Sequence, residues 1–153
     1  MTKEQRINAF VKLGEQLQLP SEESSQIIQS AQHKNPWYTP QNVERALQAI
    51  AENLTIEKLT HWLAPYPDTH STKTVGLILA GNIPLVGFHD ILAVLISGFK
   101  AKIKVSSDDA GLTAYVLGLL DKIDPYFGDA FEIVDRLKDF DLVIATGSNN
   151  SAR

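Results

Sequence analysis

The chain has 153 residues, of which 44% are hydrophobic and 21% charged, with a net charge of −4 and no cysteine. This length supports one domain with its own core, and the mild acidic balance argues against the basic face of a nucleic-acid binder. Without cysteine the chain holds no disulfide framework, no thiolate zinc site and no cysteine nucleophile.

The N-terminus is charged and amphipathic and has no signal-type apolar core. Ile7, Phe10, Leu13 and Leu17 recur at helical spacing and predict a helix over residues 3–19. Ser21 with Glu22 and Glu23 starts a second helix, whose apolar face is small (Ile27, Ile28). Residues 34–40 hold two prolines and read as a loop. Thr39-Pro40 then starts a third helix with the stripe Val43, Ala46, Leu47 and Ile50. Thr55 starts a fourth helix carrying Ile56, Leu59 and Leu63. Trp37, Tyr38 and Trp62 are expected to anchor this helical layer, the alternative being that they line a lipid or acyl pocket. Residues 65–72 are a turn-rich connector.

Beyond it the grammar changes. The apolar run Val75–Leu79 breaks at Ala80-Gly81-Asn82 and resumes as a proline-started helical segment to Ile96. After Ser97-Gly98 comes a second short run, Ala101–Val105. Strand, helix, strand in this order is a βαβ crossover. A further helix begins at Ser107-Asp108-Asp109 and ends at Asp124-Pro125. Strands follow at 131–134 and 140–145, the last running into Thr146-Gly147-Ser148. The expected fold class is α/β: an N-terminal helical region (1–72), then a partial Rossmann-like parallel sheet (73–153). The Val75–Phe99 region is interrupted by Gly81-Asn82, Pro84 and His89-Asp90, which a bilayer tolerates poorly. A buried core, no membrane span and a cytoplasmic location are the expectation.

Right-handed parallel crossovers bring the strand C-termini to one edge. The turns at Gly81-Asn82, Lys104–Ser107 and Thr146–Ser148 should therefore meet, offering amides, hydroxyls and one cation to a phosphorylated ligand. The glycines at 76, 81 and 87 do not form the dinucleotide fingerprint, and no P-loop pattern occurs. Adjacent helical residues diverge by about 100°, so His89 and Asp90 cannot form a dyad with each other, and a buried or interface histidine is expected. The four histidines lack metal-ligand spacing.

Three segments, LAGNIPLVGFHD (79–90), GFKAKIKVSS (98–107) and IATGSNNSAR (144–153), resemble the cofactor domain of the aldehyde dehydrogenase superfamily. They are most similar to acyl-CoA reductases related to the fatty-acid reductase of bacterial luminescence. The resemblance implies an NADP(H)-dependent oxidoreductase that reduces acyl-CoA to fatty aldehyde through a cysteine thioester. It implies that Asn82 stabilises the oxyanion, that Lys104 contacts the adenosine ribose or its phosphate, and that Thr146, Gly147 and Ser148 flank the pyrophosphate. Ser106 and Ser107 lie at the ribose side. Ser107 stands where NAD-preferring members often have glutamate, which favours NADPH. The implied partners are an acyl-CoA or acyl thioester, a second copy of the chain or an acyl-transferring protein. The family's cysteine is missing, so the chain is expected to be an N-terminal portion of a longer enzyme, inactive alone. The alternative is a non-catalytic binding or assembly module on an α/β scaffold.

Overall fold

The computed structural model describes residues 1–19 and 21–146. Four helices come first: α1 (Lys3–Gln18), α2 (Glu22–Lys34), α3 (Pro40–Asn53) and α4 (Ile56–Leu63). Each starts at a hydroxyl cap. Thr2, Ser21, Thr39 and Thr55 accept a hydrogen bond from the backbone three residues on, satisfying an amide the helix leaves free. The second half alternates β1 (Thr74–Ile78), α5 (Phe88–Ile96), β2 (Lys100–Lys104), α6 (Leu112–Ile123), α7 (Tyr126–Ala130), β3 (Phe131–Ile133) and β4 (Leu142–Ala145).

The four strands are parallel in the order β3-β2-β1-β4. This is a Rossmann-like arrangement in which the strand order reverses at β1. Val75 and Leu77 point to the face covered by α5 and are buried. The crossover from β3 to β4 passes over the other face. Leu137 there lies so close that a Cβ on Gly76 would meet its side chain at 2.8 Å. A side chain at position 76 would push the crossover away from the sheet.

Two helices begin later than the sequence signals. Pro84 marks no helix start: Ile83–Gly87 form turns, with Leu85 at φ +57°, and α5 begins only at Phe88. A leucine in the left-handed region cannot continue a right-handed helix. Likewise Ser107–Gly111 are turns, Ala110 and Gly111 both have positive φ, and α6 begins at Leu112. Asp109 still serves that helix, accepting from the Thr113 amide at 3.1 Å and its hydroxyl at 2.6 Å. The short helix α7 carries no signal that the sequence reading recognised.

One hydrophobic core runs from Ile7 to Ala130 across both halves of the chain. Helix α1 is central to it, packing on α3, α4, α5 and α6, with Phe10 meeting Phe127 edge-on at 5.5 Å. Helix α2 buries only Ala31. Arg6 is 1% exposed and gathers three segments. Its guanidinium donates to the carbonyls of Ile96 (2.8 Å), Met1 (2.8 Å) and Thr69 (3.3 Å), and pairs with Asp68 at 3.1 Å. The first helix, the connector and the end of α5 are thus fastened by one charge, which also suits the negative end of α5.

Replacing Arg6 with Met should cost about 3 kcal/mol in urea unfolding, because charge-assisted bonds are lost and buried carbonyls are left bare. The Lys3 backbone amide, with Arg6 beside it, holds the Asp68 carboxyl below its ordinary range. A depressed carboxyl stabilises the fold above its unfolded value, and that stabilisation disappears as pH falls through the folded value. Asp68→Asn should therefore lower stability at pH 7 and make no difference once acid has protonated Asp68.

Candidate functional site

At the carboxyl ends of β1, β2 and β4 the surface forms a depression of about 1140 Å³. It lies where the strand order reverses, the place at which open parallel sheets hold ligands. Asn82, Lys104, Ser106, Ser107 and Thr146 all border it. Gly147 and Ser148 lie outside the described residues.

The turns interlock. The Leu79 amide donates to the Lys104 carbonyl at 3.1 Å, and the Thr146 amide to the Ile78 carbonyl at 2.9 Å. A Cβ on Gly81 would collide with the Ser106 side chain, so only glycine lets the β1 and β2 turns approach this closely. The Ser106 hydroxyl accepts from the Asp108 amide at 3.1 Å. Asn82 and Lys104 are exposed, and neither side chain bonds or pairs with any described residue. Lys102, two residues earlier on the same strand face, instead donates to the Lys138 carbonyl at 3.1 Å. The two lysines therefore have different settings.

Three further groups border the crevice: His89, Asp90 and Asp108. Of the two expectations for His89, buried or at an interface, the structure excludes burial. The residue is exposed and stacks on half-buried Trp62 at 5.7 Å. Position 89 falls in the first turn of α5 once that helix starts at Phe88, so its ring faces the crevice rim instead of the core. Among the described residues no three His, Asp or Glu side chains converge as metal ligands.

The loop between α2 and α3 holds both turns from behind. Buried Tyr38 donates its hydroxyl to the Gly81 carbonyl at 2.6 Å, and buried Asn35 donates to the Asp108 carbonyl at 3.0 Å. Burial first, then the carboxylates of Asp109 and Asp108, push the Tyr38 hydroxyl up to about 12. Sequence reasoning missed Asn35 because a polar residue before proline looks like any turn. Trp37, between them, is no anchor: it is 84% exposed. Of the three aromatics assigned to the helical layer, Tyr38 alone is fully buried.

Compared with protein-family models, with curated proteins and with solved structures, the chain finds no match. No helix among the described residues is long and apolar enough to cross a membrane.

Two outcomes check this geometry. Gly81→Ala should destabilise the chain, and adding Ser106→Gly should restore much of the loss, measured as a double-mutant cycle. In an alkaline absorbance titration one of the four tyrosines should ionise near 12, and Tyr38→Phe should remove that step. Because the folded value is raised, the Tyr38 contribution to stability is complete below the ordinary tyrosine value of about 10 and is lost as pH rises towards 12.

Proposed function

We propose that the chain is the cofactor-side portion of an NADPH-dependent acyl-CoA reductase of the aldehyde dehydrogenase superfamily, acting in the cytoplasm. It would form fatty aldehyde from an acyl thioester. The observation that carries this reading is the gathering of Asn82, Lys104, Ser106, Ser107 and Thr146 around one crevice at the reversal point of a parallel sheet.

The residues present suit a dinucleotide. Lys104 offers an ammonium without a partner among the described residues, and Ser107 an exposed hydroxyl beside it. Thr146, with Gly147 and Ser148 after it by resemblance, would border the pyrophosphate. Bound NADPH would supply the hydride. Asn82, exposed at the mouth of β1, would direct its amide N–H groups at the acyl carbonyl oxygen as negative charge gathers there. Asp90 and Asp108 oppose a 2′-phosphate, since both carboxylates border the same crevice.

The cysteine that attacks the thioester would come from a part of the enzyme outside these 153 residues. Support for a wider sheet comes from β4. Its residues Leu142, Val143 and Ile144 are 46%, 46% and 38% exposed, and they alternate between both faces of the sheet. Edge strands are normally short, charged or covered, whereas an apolar run on both faces is the pattern of an interior parallel strand. A further strand beside β4, with helices over it, would bury these side chains and add a wall to the crevice at Thr146.

Titration of the chain with NADPH tests the assignment. Lys104→Ala should weaken binding about tenfold, the loss expected for one charge-assisted hydrogen bond. Asp108→Asn should tighten it. Equal NADPH affinity in wild type and Lys104→Ala would refute the site.

A further inference from the structure

The helical layer carries a hollow of its own, about 730 Å³, between the end of α1, the start of α2 and one face of α3. It shares no residue with the crevice. We propose that this groove seats an amphipathic helix of a partner protein, one whose apolar stripe is flanked by two basic residues about two helical turns apart.

Local structure leaves the groove open. Helix α2 packs on α3 and α6 but not closely on α1, so a channel remains between the last turn of α1 and the first turns of α2. Leu19 caps α1 with extended backbone, its amide held by the Gln16 carbonyl at 3.2 Å, yet its side chain is 64% exposed. The reciprocal cap between Ser21 and Ser24 fixes where α2 starts beside it. Glu44, Leu47, Gln48 and Glu52 follow helical spacing along one face of α3. Buried Leu47 and half-buried Leu17 and Ile28 form the apolar base, to which exposed Leu19 adds a wall.

Charge and pitch decide what fits. The wall holds Glu44 and Glu52 and, among the described residues, no Lys, Arg or His. Neither glutamate pairs with a cation among the described residues, and Glu52 accepts only from the Gln48 side chain at 3.4 Å. Their positions on α3 set the two carboxylates about 12 Å apart along the helix axis. A second helix lying in the groove offers basic residues at that same pitch, and its repeat places apolar residues between them on one face. Burial of that stripe on Leu17, Ile28 and Leu47 supplies affinity, while the two ion pairs set register and direction. The acidic wall repels an anionic lipid surface, and a second copy brings a net charge of −4 to it.

The test is fluorescence anisotropy of labelled, terminally blocked peptides of about 15 residues, titrated with the 153-residue chain. The first peptide has a leucine stripe at helical spacing flanked by two lysines about two turns apart. The second carries glutamates in place of those lysines, and the third serines in place of the leucines. Only the first should bind, and added salt should weaken it. Glu44→Lys combined with Glu52→Lys should weaken the lysine peptide about tenfold and confer binding on the glutamate peptide. Ser25→Trp, which fills the groove, should abolish binding, whereas Glu57→Lys, on α4 outside the groove, should leave it unchanged. Circular dichroism establishes that each variant is folded. Absence of lysine-peptide binding, equal affinity for the lysine and glutamate peptides, or binding that survives Ser25→Trp would overturn the proposal. A serine peptide that binds as tightly as the leucine peptide would do the same. So would a sedimentation mass above the monomer that falls in Ser25→Trp, since the groove would then be a contact between copies.

Discussion

Strand β1 is hydrogen-bonded on both edges, to β2 on one side and β4 on the other, and the rest of the structure follows from that position. Parallel neighbours cannot be joined by tight turns, so each connection must cross a face of the sheet. The path from β1 to β3 uses the face covered by α5, and the return to β4 uses the face where Leu137 meets Gly76. The path out of β1 and the path into β4 thus lie on opposite faces, and the crevice lies at the strand ends where the order reverses. The site is a consequence of strand order before it is a matter of side chains.

Strand order alone would leave the turns after β1 and β2 loose. What holds them is the helical layer, which shares one core with the sheet. Tyr38 reaches the β1 turn and Asn35 the β2 turn from a single loop. Arg6 ties the start of α1 to the far end of α5. A hydrogen bond from a buried donor is costly to leave unmade, so each of these contacts fixes the distance between layers. The helices of the first 65 residues thus determine the geometry of a site to which they contribute no crevice-lining side chain.

Much of this was legible in the chain. Short apolar runs bounded by Gly, Asn and Ser gave the strands at 75–79 and 101–105 within a residue or two: β1 is buried along its middle, and in β2 the buried Ala101 and Ile103 alternate with lysines. Cap residues gave the starts of α2, α3 and α4, since the cap interaction is local, whereas α1 was legible from its apolar stripe. The meeting of residues 82, 104, 107 and 146 followed from crossover handedness. Helix starts at Phe88 and Leu112 were not legible. Pro84 and Ser107-Asp108 are ordinary start signals, and what cancels them is the left-handed backbone at Leu85 and Ala110, imposed by the packing of the turns. Nor could exposure at Trp37 or His89 be read, because which face of a short loop or first turn meets solvent is decided by distant neighbours.

The central claim is that the strand-end turns form one binding surface for a dinucleotide. Amide chemical-shift mapping of the isotopically labelled chain during NADPH addition tests it without relying on any variant. The account predicts shifts at Gly81, Asn82, Ser106, Ser107 and Thr146 together, along one saturation curve. Unmoved resonances at those five positions, or shifts confined to the separate hollow beside Leu17, Ile28 and Leu47 in the helical layer, would contradict it.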